Sequence, residues 1–290
     1  VLLCVTPASP CLAQAMLWDV YIRDGNQAKD HGQYAKALKL YLLALEEAEK
    51  FGPTDPRLAT SLNNLASLYH TQGDYAKAEP LYKRSLAIKE KALGPDHPSV
   101  AMSLNNLADL YHTQGDYAMA EPLHKRSLAI REKALGPDHP DVADCLHNLA
   151  ALYDNQGDYP RAEPLYKRSL AISEKALGPD HPMVATTLHN LAMFYYGQGE
   201  YTQAEPHYTR ALAIVEKALE PNHPDVAKSL NGLARLYYKQ GQYAQAEPLF
   251  TRALAIYEKA FDPNNIAVLE AKSNLAAILE QYGIANVRSL

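Results

Sequence analysis

Eleven histidines, three cysteines and thirty-three carboxylates are the side chains of this 290-residue sequence able to ligate a metal or to pair as nucleophile and base. Four histidines share one frame: His97, His139, His181 and His223 are each followed by proline and spaced 42 residues apart. Zinc holds its ligands at about 2 Å. Equivalent residues of units stacked through helices stand on the order of 10 Å apart or more, because packed helices lie about 8–10 Å from each other. These four therefore read as loop and cap residues. His147 and His189, also one period apart, face the same spacing. Cys145 has His147 two residues on, but side chains at i and i+2 of a helix point different ways, so no thiolate–imidazole pair is expected. HExxH, GxSxG, Walker A and GxGxxG are all absent. No catalytic residue, metal site or cofactor is expected.

Composition narrows the class further. Residues of the AVILMFWYC set make up 47% and charged residues 21%, with a net charge of −5. That is ample apolar surface for a core, and no Lys/Arg run marks a nucleic-acid surface. Cys4, Cys11 and Cys145 form neither a disulfide framework nor a ligand cluster. Val1-Leu2-Leu3-Cys4-Val5, a Thr-Pro-Ala-Ser-Pro break and Ala13-Gln14-Ala15 have the parts of a secretory leader without its basic start. Residues 1–15 are thus expected to be a truncated signal peptide or a disordered leader. The first reading implies a secreted or periplasmic protein, the second a cytoplasmic one. No apolar run reaches 18 residues elsewhere, so no membrane-spanning helix is expected.

The His-Pro frame belongs to a longer repeat. Asp55-Pro56 holds the same slot upstream and Asn265-Ile266 downstream. Each unit predicts two helices. In the copy starting at His97, Pro98 suits a first helical turn, and Val100, Leu104, Leu107, Ala108 and Tyr111 follow at helical spacing. Gln114-Gly115-Asp116 breaks the pattern, with Gly115 free to turn and Asp116 placed to cap the next helix. Tyr117, Ala120, His124, Ser127 and Leu128 form the next stripe, which Gly136-Pro137 ends. Helix A is expected to run about 15 residues and helix B about 20. Pro80, Pro122, Pro164, Pro206 and Pro248 fall inside helix B; each removes one backbone hydrogen bond, which predicts a bend and a carbonyl turned to solvent. One pair cannot bury its own apolar face, so the units must stack.

The pattern Leu62-x2-Leu65-Ala66-x2-Tyr69, Gly73-x-Tyr75, Ala78-x3-Tyr82, with four further copies, resembles the tetratricopeptide repeat. Its 42-residue form, with LNNLA, QGDYAxAEPLYKRSLAI and GPDHP, is similar to the kinesin light chain subfamily and its bacterial relatives. The resemblance covers about residues 17–282. It implies an all-α, right-handed superhelical solenoid of six antiparallel helix pairs, at about 16–52, 55–95, 97–137, 139–179, 181–221 and 223–263. A capping helix at 265–282 completes a solenoid domain spanning 16–283, and a tail at 284–290 follows it. In the cap, Lys272 replaces the leucine of Leu62, Leu104, Leu146, Leu188 and Leu230, as suits a helix with a polar outer side. The first pair departs most, with Asp24-Gly25-x2-Ala28 in place of Leu-Ala-x2-Tyr.

The resemblance further implies a concave groove lined by helices A. Groove positions at i, i+4 and i+7 share a face. The first slot reads Asn63, Asn105, His147, His189, Asn231; the second Ser67, Asp109, Ala151, Met193, Arg235; the third His70, His112, Asp154, Tyr196, Tyr238. A second amide ladder, Asn64, Asn106, Asn148 and Asn190, ends at Gly232. Amides both donate and accept, so either ladder suits clamping of an extended peptide or bonding between repeats. Asp109 and Asp154 predict an acidic stretch, and Lys228, Arg235 and Lys239 a basic end beside Tyr238. The chain reads as a non-catalytic scaffold that binds an extended peptide or partner segment carrying acidic residues at one end. The alternative is a regulatory or substrate-binding arm of a larger enzyme or signalling protein. The identity of the partner and the oligomeric state are not written in the sequence.

Overall fold

A computed structural model describes residues 10–281, and among them thirteen α-helices and no strand. The chain divides into two compact units, residues 1–137 and 138–290. The first holds three helix pairs: α1 (Pro10–Asp30) with α2 (Tyr34–Glu49), α3 (Pro56–Thr71) with α4 (Tyr75–Leu93), and α5 (Pro98–Thr113) with α6 (Tyr117–Leu135). The second holds α7 (Pro140–Asn155) with α8 (Tyr159–Leu177), α9 (Pro182–Gly197) with α10 (Tyr201–Ala218), α11 (Pro224–Lys239) with α12 (Tyr243–Ala260), and a last helix, α13 (Ile266–Gln281). Six pairs and a closing helix match the repeat. Of the expected leader, residues 1–9 lie outside the described residues, and α1 already begins at Pro10. The expected tail lies outside them as well.

Each helix starts and stops where its sequence says. Helices A open on an N-cap whose acceptor is the histidine ring: Nδ1 of His97, His139, His181 and His223 accepts from the backbone N–H two residues on, at 3.1, 3.1, 3.2 and 3.2 Å. Asp55 and Asn265 do the same with side-chain oxygens, both at 2.9 Å. The frame histidines are therefore caps, each presenting a ring nitrogen as acceptor to a helix start. Replacing His181 with Ala is expected to cost about 1 kcal/mol and replacing it with Asp much less, as read from urea midpoints. Asp116 caps α6 through Met119 N–H at 3.2 Å. Gly115 (φ 78°) and Gly136 (φ 89°) take the left-handed turns that close α5 and α6. The prolines at 80, 122, 164, 206 and 248 lie inside helices B that run on through them. All five are exposed, as are the residues four earlier whose carbonyls lose their donor, so both lie on the solvent side of the helix.

Packing follows the repeat. Within each unit the fully buried side chains include the leucines of helix A, such as Leu62 and Leu104 in the first and Leu146, Leu188 and Leu230 in the second. Leu62 clusters with Ile88 and Leu104 with Ile130 of the paired helix B, and in the aromatic slot of helix B Tyr82, Tyr166, Tyr208 and Phe250 are all buried. Polar ties recur alongside. Ser85, Ser127 and Ser169 donate back to the carbonyls of Ala59, Ala101 and Ala143 at 2.7, 2.8 and 2.8 Å. Tyr111, Tyr195 and Tyr237 donate to Glu79, Glu163 and Glu205 of the preceding helix B at 2.8, 2.8 and 3.2 Å.

The divergent first pair is held differently. Trp18 Nε1 donates to Ser61 Oγ at 2.8 Å and Tyr41 Oη to Asn26 Oδ1 at 2.8 Å. Gly25 is required there, since a Cβ on it would stand 2.7 Å from the buried Tyr41 ring. At the other end Lys272 pairs with Glu258 at 3.2 Å. Ile266 and Leu269 of α13 remain 72% and 51% exposed, although the Ala227 that matches Leu269 in the preceding repeat is buried.

Candidate functional site

In the first unit, α3 and α5 carry the expected groove residues. Lys29 of α1 donates to Ser67 Oγ at 2.6 Å, and burial lowers its pKa. His70 Nε2 and Thr113 Oγ1 are 3.2 Å apart. Asn105 and Asp109 turn toward their own helix B. Asn105 Nδ2 donates to Asp109 Oδ2 at 3.0 Å, and Asn105 Oδ1 lies 3.2 Å from His124 Nδ1. His124 occupies the aromatic slot held by Tyr82 in the preceding repeat, and its Nε2 is 3.7 Å from Asp109 Oδ1. Burial pushes the Asp109 carboxyl up to about 6. Burial, then the nearby His112, push His124 down to about 4. A carboxyl so raised carries little negative charge in mildly acid solution, so Asp109 is a weaker acidic element than its residue type suggests.

The second amide ladder binds repeat to repeat. Asn64 Nδ2 donates to Asn26 Oδ1 at 3.4 Å, Asn106 Nδ2 to Asn63 Oδ1 at 2.8 Å, and Asn274 Nδ2 to Asn231 Oδ1 at 3.1 Å. Asn63 and Asn231 of the first slot are thus acceptors in the stack. Gly232 interrupts the ladder: a Cβ there would stand 2.8 Å from the Tyr208 ring and 2.9 Å from that of His189.

The second unit is built differently. His147 and His189 pack against Tyr166 and Tyr208, with ring centroids 5.5 and 5.3 Å apart. Burial, then Lys228, lowers the pKa of His147. Burial, then Lys228 and Arg235, hold His189 down at about 4. Nδ1 of each is buried with no hydrogen-bond partner among the described residues. Burial raises the pKa of Asp154. Met193 is half exposed, at 50%.

Two recesses open beside α11. One is lined by Thr186, His189, Val215, Asp225, Lys228 and Ser229. The other is lined by Tyr196, Arg235, Tyr238, Lys239, Phe250 and Asn274. Arg235 stands over the Tyr196 ring, 5.5 Å from its centroid, and also walls an adjoining cleft with Asn231, Glu270 and Ser273. The structure therefore brings Tyr196, Arg235, Tyr238 and Lys239 together, and His189 with Lys228; neither recess includes Met193. Several other cations of this unit are paired, Lys167 with Glu163 at 2.7 Å, Lys217 with Asp180 at 2.6 Å, Arg210 with Glu174 and Arg252 with Glu216, while Lys259 only hydrogen-bonds Asn222 at 3.5 Å. Lys228, Arg235 and Lys239 make no ion pair among the described residues.

The slot three residues before the first, reading Thr60, Met102, Asp144, Thr186, Lys228 and Glu270, also borders these recesses through Thr186, Lys228 and Glu270. Its change at every period is the signal that marks it, and of this slot only Lys228 stands among the groove residues expected from sequence. Lys29, His124 and Asn274 are not among them, because each enters from a neighbouring helix.

Family comparison agrees with this architecture. Tetratricopeptide repeats are matched at residues 25–91, 71–133, 112–175, 155–196, 183–259 and 235–283, nearly the whole described chain. The chain is a tetratricopeptide repeat protein. It is similar to BtubC (BKLC) of P. vanneervenii, with 26% identity and a TM-score of 0.67, covering 80% of this chain and 94% of that one. It is similar too to the nearly identical repeats of a Podosopora anserina putative kinesin light chain, with 32% identity, a TM-score of 0.60, and coverage of 71% and 98%. Among curated proteins it shares 32% identity with the photosystem I assembly protein Ycf3 of Rippkaea orientalis, covering 32% of this tetratricopeptide chain and 69% of that one. Its fold is thus one consistent with protein-interaction scaffolds. Among the described residues no helix is long and apolar enough to cross a membrane.

Proposed function

We propose that this tetratricopeptide protein is a non-catalytic scaffold that binds an extended, acidic segment of a partner protein on the helix-A face of its second unit. The observation that carries this reading is the trio Lys228, Arg235 and Lys239 on α11, none of them in an ion pair, beside Tyr196 and Tyr238, in a unit where helix-B cations such as Lys167 and Lys217 are paired. A charge on a groove wall without a counter-ion has its attraction left to give to a ligand, and charge-assisted hydrogen bonds are the strong ones. The tyrosines add flat apolar surface with a polar tip, and half-exposed Met193 adds an adaptable contact.

The two ladders meet in the ties between repeats. Asn106 and Asn274 hold neighbouring repeats together, which leaves recognition to the slots that change from repeat to repeat. Reversing charge with Arg235→Glu and Lys239→Glu together is expected to weaken an acidic peptide by roughly 10- to 100-fold, the equivalent of one or two lost charge-assisted bonds, and to flatten its salt dependence. Fluorescence anisotropy across a salt series measures both. Unchanged affinity and salt slope would remove the basis for this reading.

A further inference from the structure

One repeat of the first unit carries a combination that the other pairs lack. Its second groove slot is Asp109 and its aromatic slot is His124, where the others hold Gly25 with Tyr41, Ser67 with Tyr82, Ala151 with Tyr166, Met193 with Tyr208 and Arg235 with Phe250. An ionised carboxylate can only accept. Asn105, whose Nδ2 is 3.0 Å from Asp109 Oδ2, therefore turns its amide donor to Asp109 and its Oδ1 to the histidine. That oxygen lies 3.2 Å from His124 Nδ1 and holds the ring proton there. The other ring nitrogen, Nε2, is left with a lone pair, 3.7 Å from Asp109 Oδ1. Two acceptors face each other with no donor between them.

The vacancy shows on both sides. His124 is 1% exposed, and its Nε2 has no hydrogen-bond partner among the described residues. No lysine or arginine among them pairs with Asp109, and Lys29 of α1 is bonded to Ser67 instead. The carboxyl, raised by burial, behaves as a charge with nothing to balance it. Nε2 is closed off, but the Asp109 side chain keeps 40% of its surface exposed, so a donor can reach Oδ1 from solvent. A cation gains most there, since charge-assisted hydrogen bonds are the strong ones. Asn105 decides which cation. A guanidinium grips a carboxylate through two parallel bonds, one to each oxygen, and Oδ2 is already bonded. An ammonium needs a single oxygen.

We propose that Asp109, oriented by Asn105 and backed by His124, is a subsite for the ammonium group of a lysine side chain on a partner segment. It uses other residues, in the other unit, than the acidic-segment reading and does not depend on it. The test uses the full chain at pH 7.5 and three N-acetylated, fluorescein-labelled peptides of one uncharged background, in which the same positions hold lysine, arginine or acetyl-lysine. General attraction to a chain of net charge −5 acts on lysine and arginine alike, so the difference between them reports the subsite. The lysine peptide is expected to bind about fivefold more tightly than the arginine one, and the acetyl-lysine peptide most weakly. Asp109→Asn should abolish the lysine preference. Glu46→Gln, which removes an exposed carboxylate from α2 of the same unit, should leave it intact. Lysine binding no better than arginine or acetyl-lysine, no binding of any of the three, a preference that survives Asp109→Asn, or one lost equally with Glu46→Gln, overturns the proposal. The Arg235→Glu, Lys239→Glu protein should keep the lysine preference whether or not acidic peptides still bind it, which separates the two readings.

Discussion

Between pH 7 and pH 4 the first unit is expected to lose roughly 3 kcal/mol of stability at His124 alone. The ring is held neutral by burial, with its pKa pushed from 6.5 down to about 4, and each tenfold change in proton affinity is worth about 1.4 kcal/mol. The sign follows from linkage. A histidine depressed in the folded state contributes its stability in full above 6.5, and that contribution drains away as the pH falls through the folded value. Asp109 works the other way. Its carboxyl is raised to about 6 by burial, so folding disfavours its ionised form, and it erodes stability as the pH rises from about 4 through 6. The two limbs are separable by mutation. His124→Tyr installs the residue that Tyr82, Tyr166 and Tyr208 hold in the same slot and should flatten the acid limb. Asp109→Asn should gain most at neutral pH and little near pH 4. Urea midpoints from pH 4 to 8 decide it; curves for wild type and His124→Tyr that run parallel would show that the ring titrates without cost.

The second large effect is expected at Phe250. Its ring is 2% exposed, belongs to the apolar cluster of the second unit and also floors the recess under Arg235 and Tyr196. Truncation to alanine removes a buried aromatic ring and should cost about 3–5 kcal/mol. In a repeat array each pair is stabilised by its neighbours only, so the loss should stay local. Hydrogen exchange is expected to quicken across α11, α12 and α13 while α3 to α6 keep their protection. Uniform acceleration along the chain would mean that the array unfolds as one cooperative body. Phe250→Leu, which keeps most of the volume, separates the two consequences, because it should restore much of the stability while leaving the recess misshapen for a ligand.

The fold was legible because its determinants recur. His-Pro at a fixed period announced a capped helix start, and the ring nitrogens of His97, His139, His181 and His223 supply that cap. Gly115 and Asp116 announced the turn between paired helices. The candidate site was legible only in outline. Helical spacing put Tyr196, Arg235, Tyr238 and Lys239 on one face, and they do meet in one recess. Spacing on a single helix cannot say what enters from the next. It gave no hint that Asp109 turns inward to Asn105 and His124, or that Asn274 of α13 reaches Asn231. It did not show that His189 sits on the buried floor, in space that the missing side chain of Gly232 leaves to it. Periodicity ranks positions by face, whereas burial depends on the volume of whatever lies opposite.

The ties that hold one repeat to the next connect residues at a constant sequence separation, Tyr111 to Glu79 and Tyr195 to Glu163 at 32 and Asn106 to Asn63 and Asn274 to Asn231 at 43. A partner residue is therefore specified by its slot and not by its place in the chain. Removing or duplicating 42 residues rejoins a tie with an equivalent group wherever the slot keeps its residue type, as it does at Asn106 and Asn274 but not at Gly232. The number of repeats is then a heritable variable that can drift without any new packing having to be invented. The singular residues Lys228, Arg235 and His189 are what such events would copy or erase, so binding would change in whole steps while the framework stayed the same.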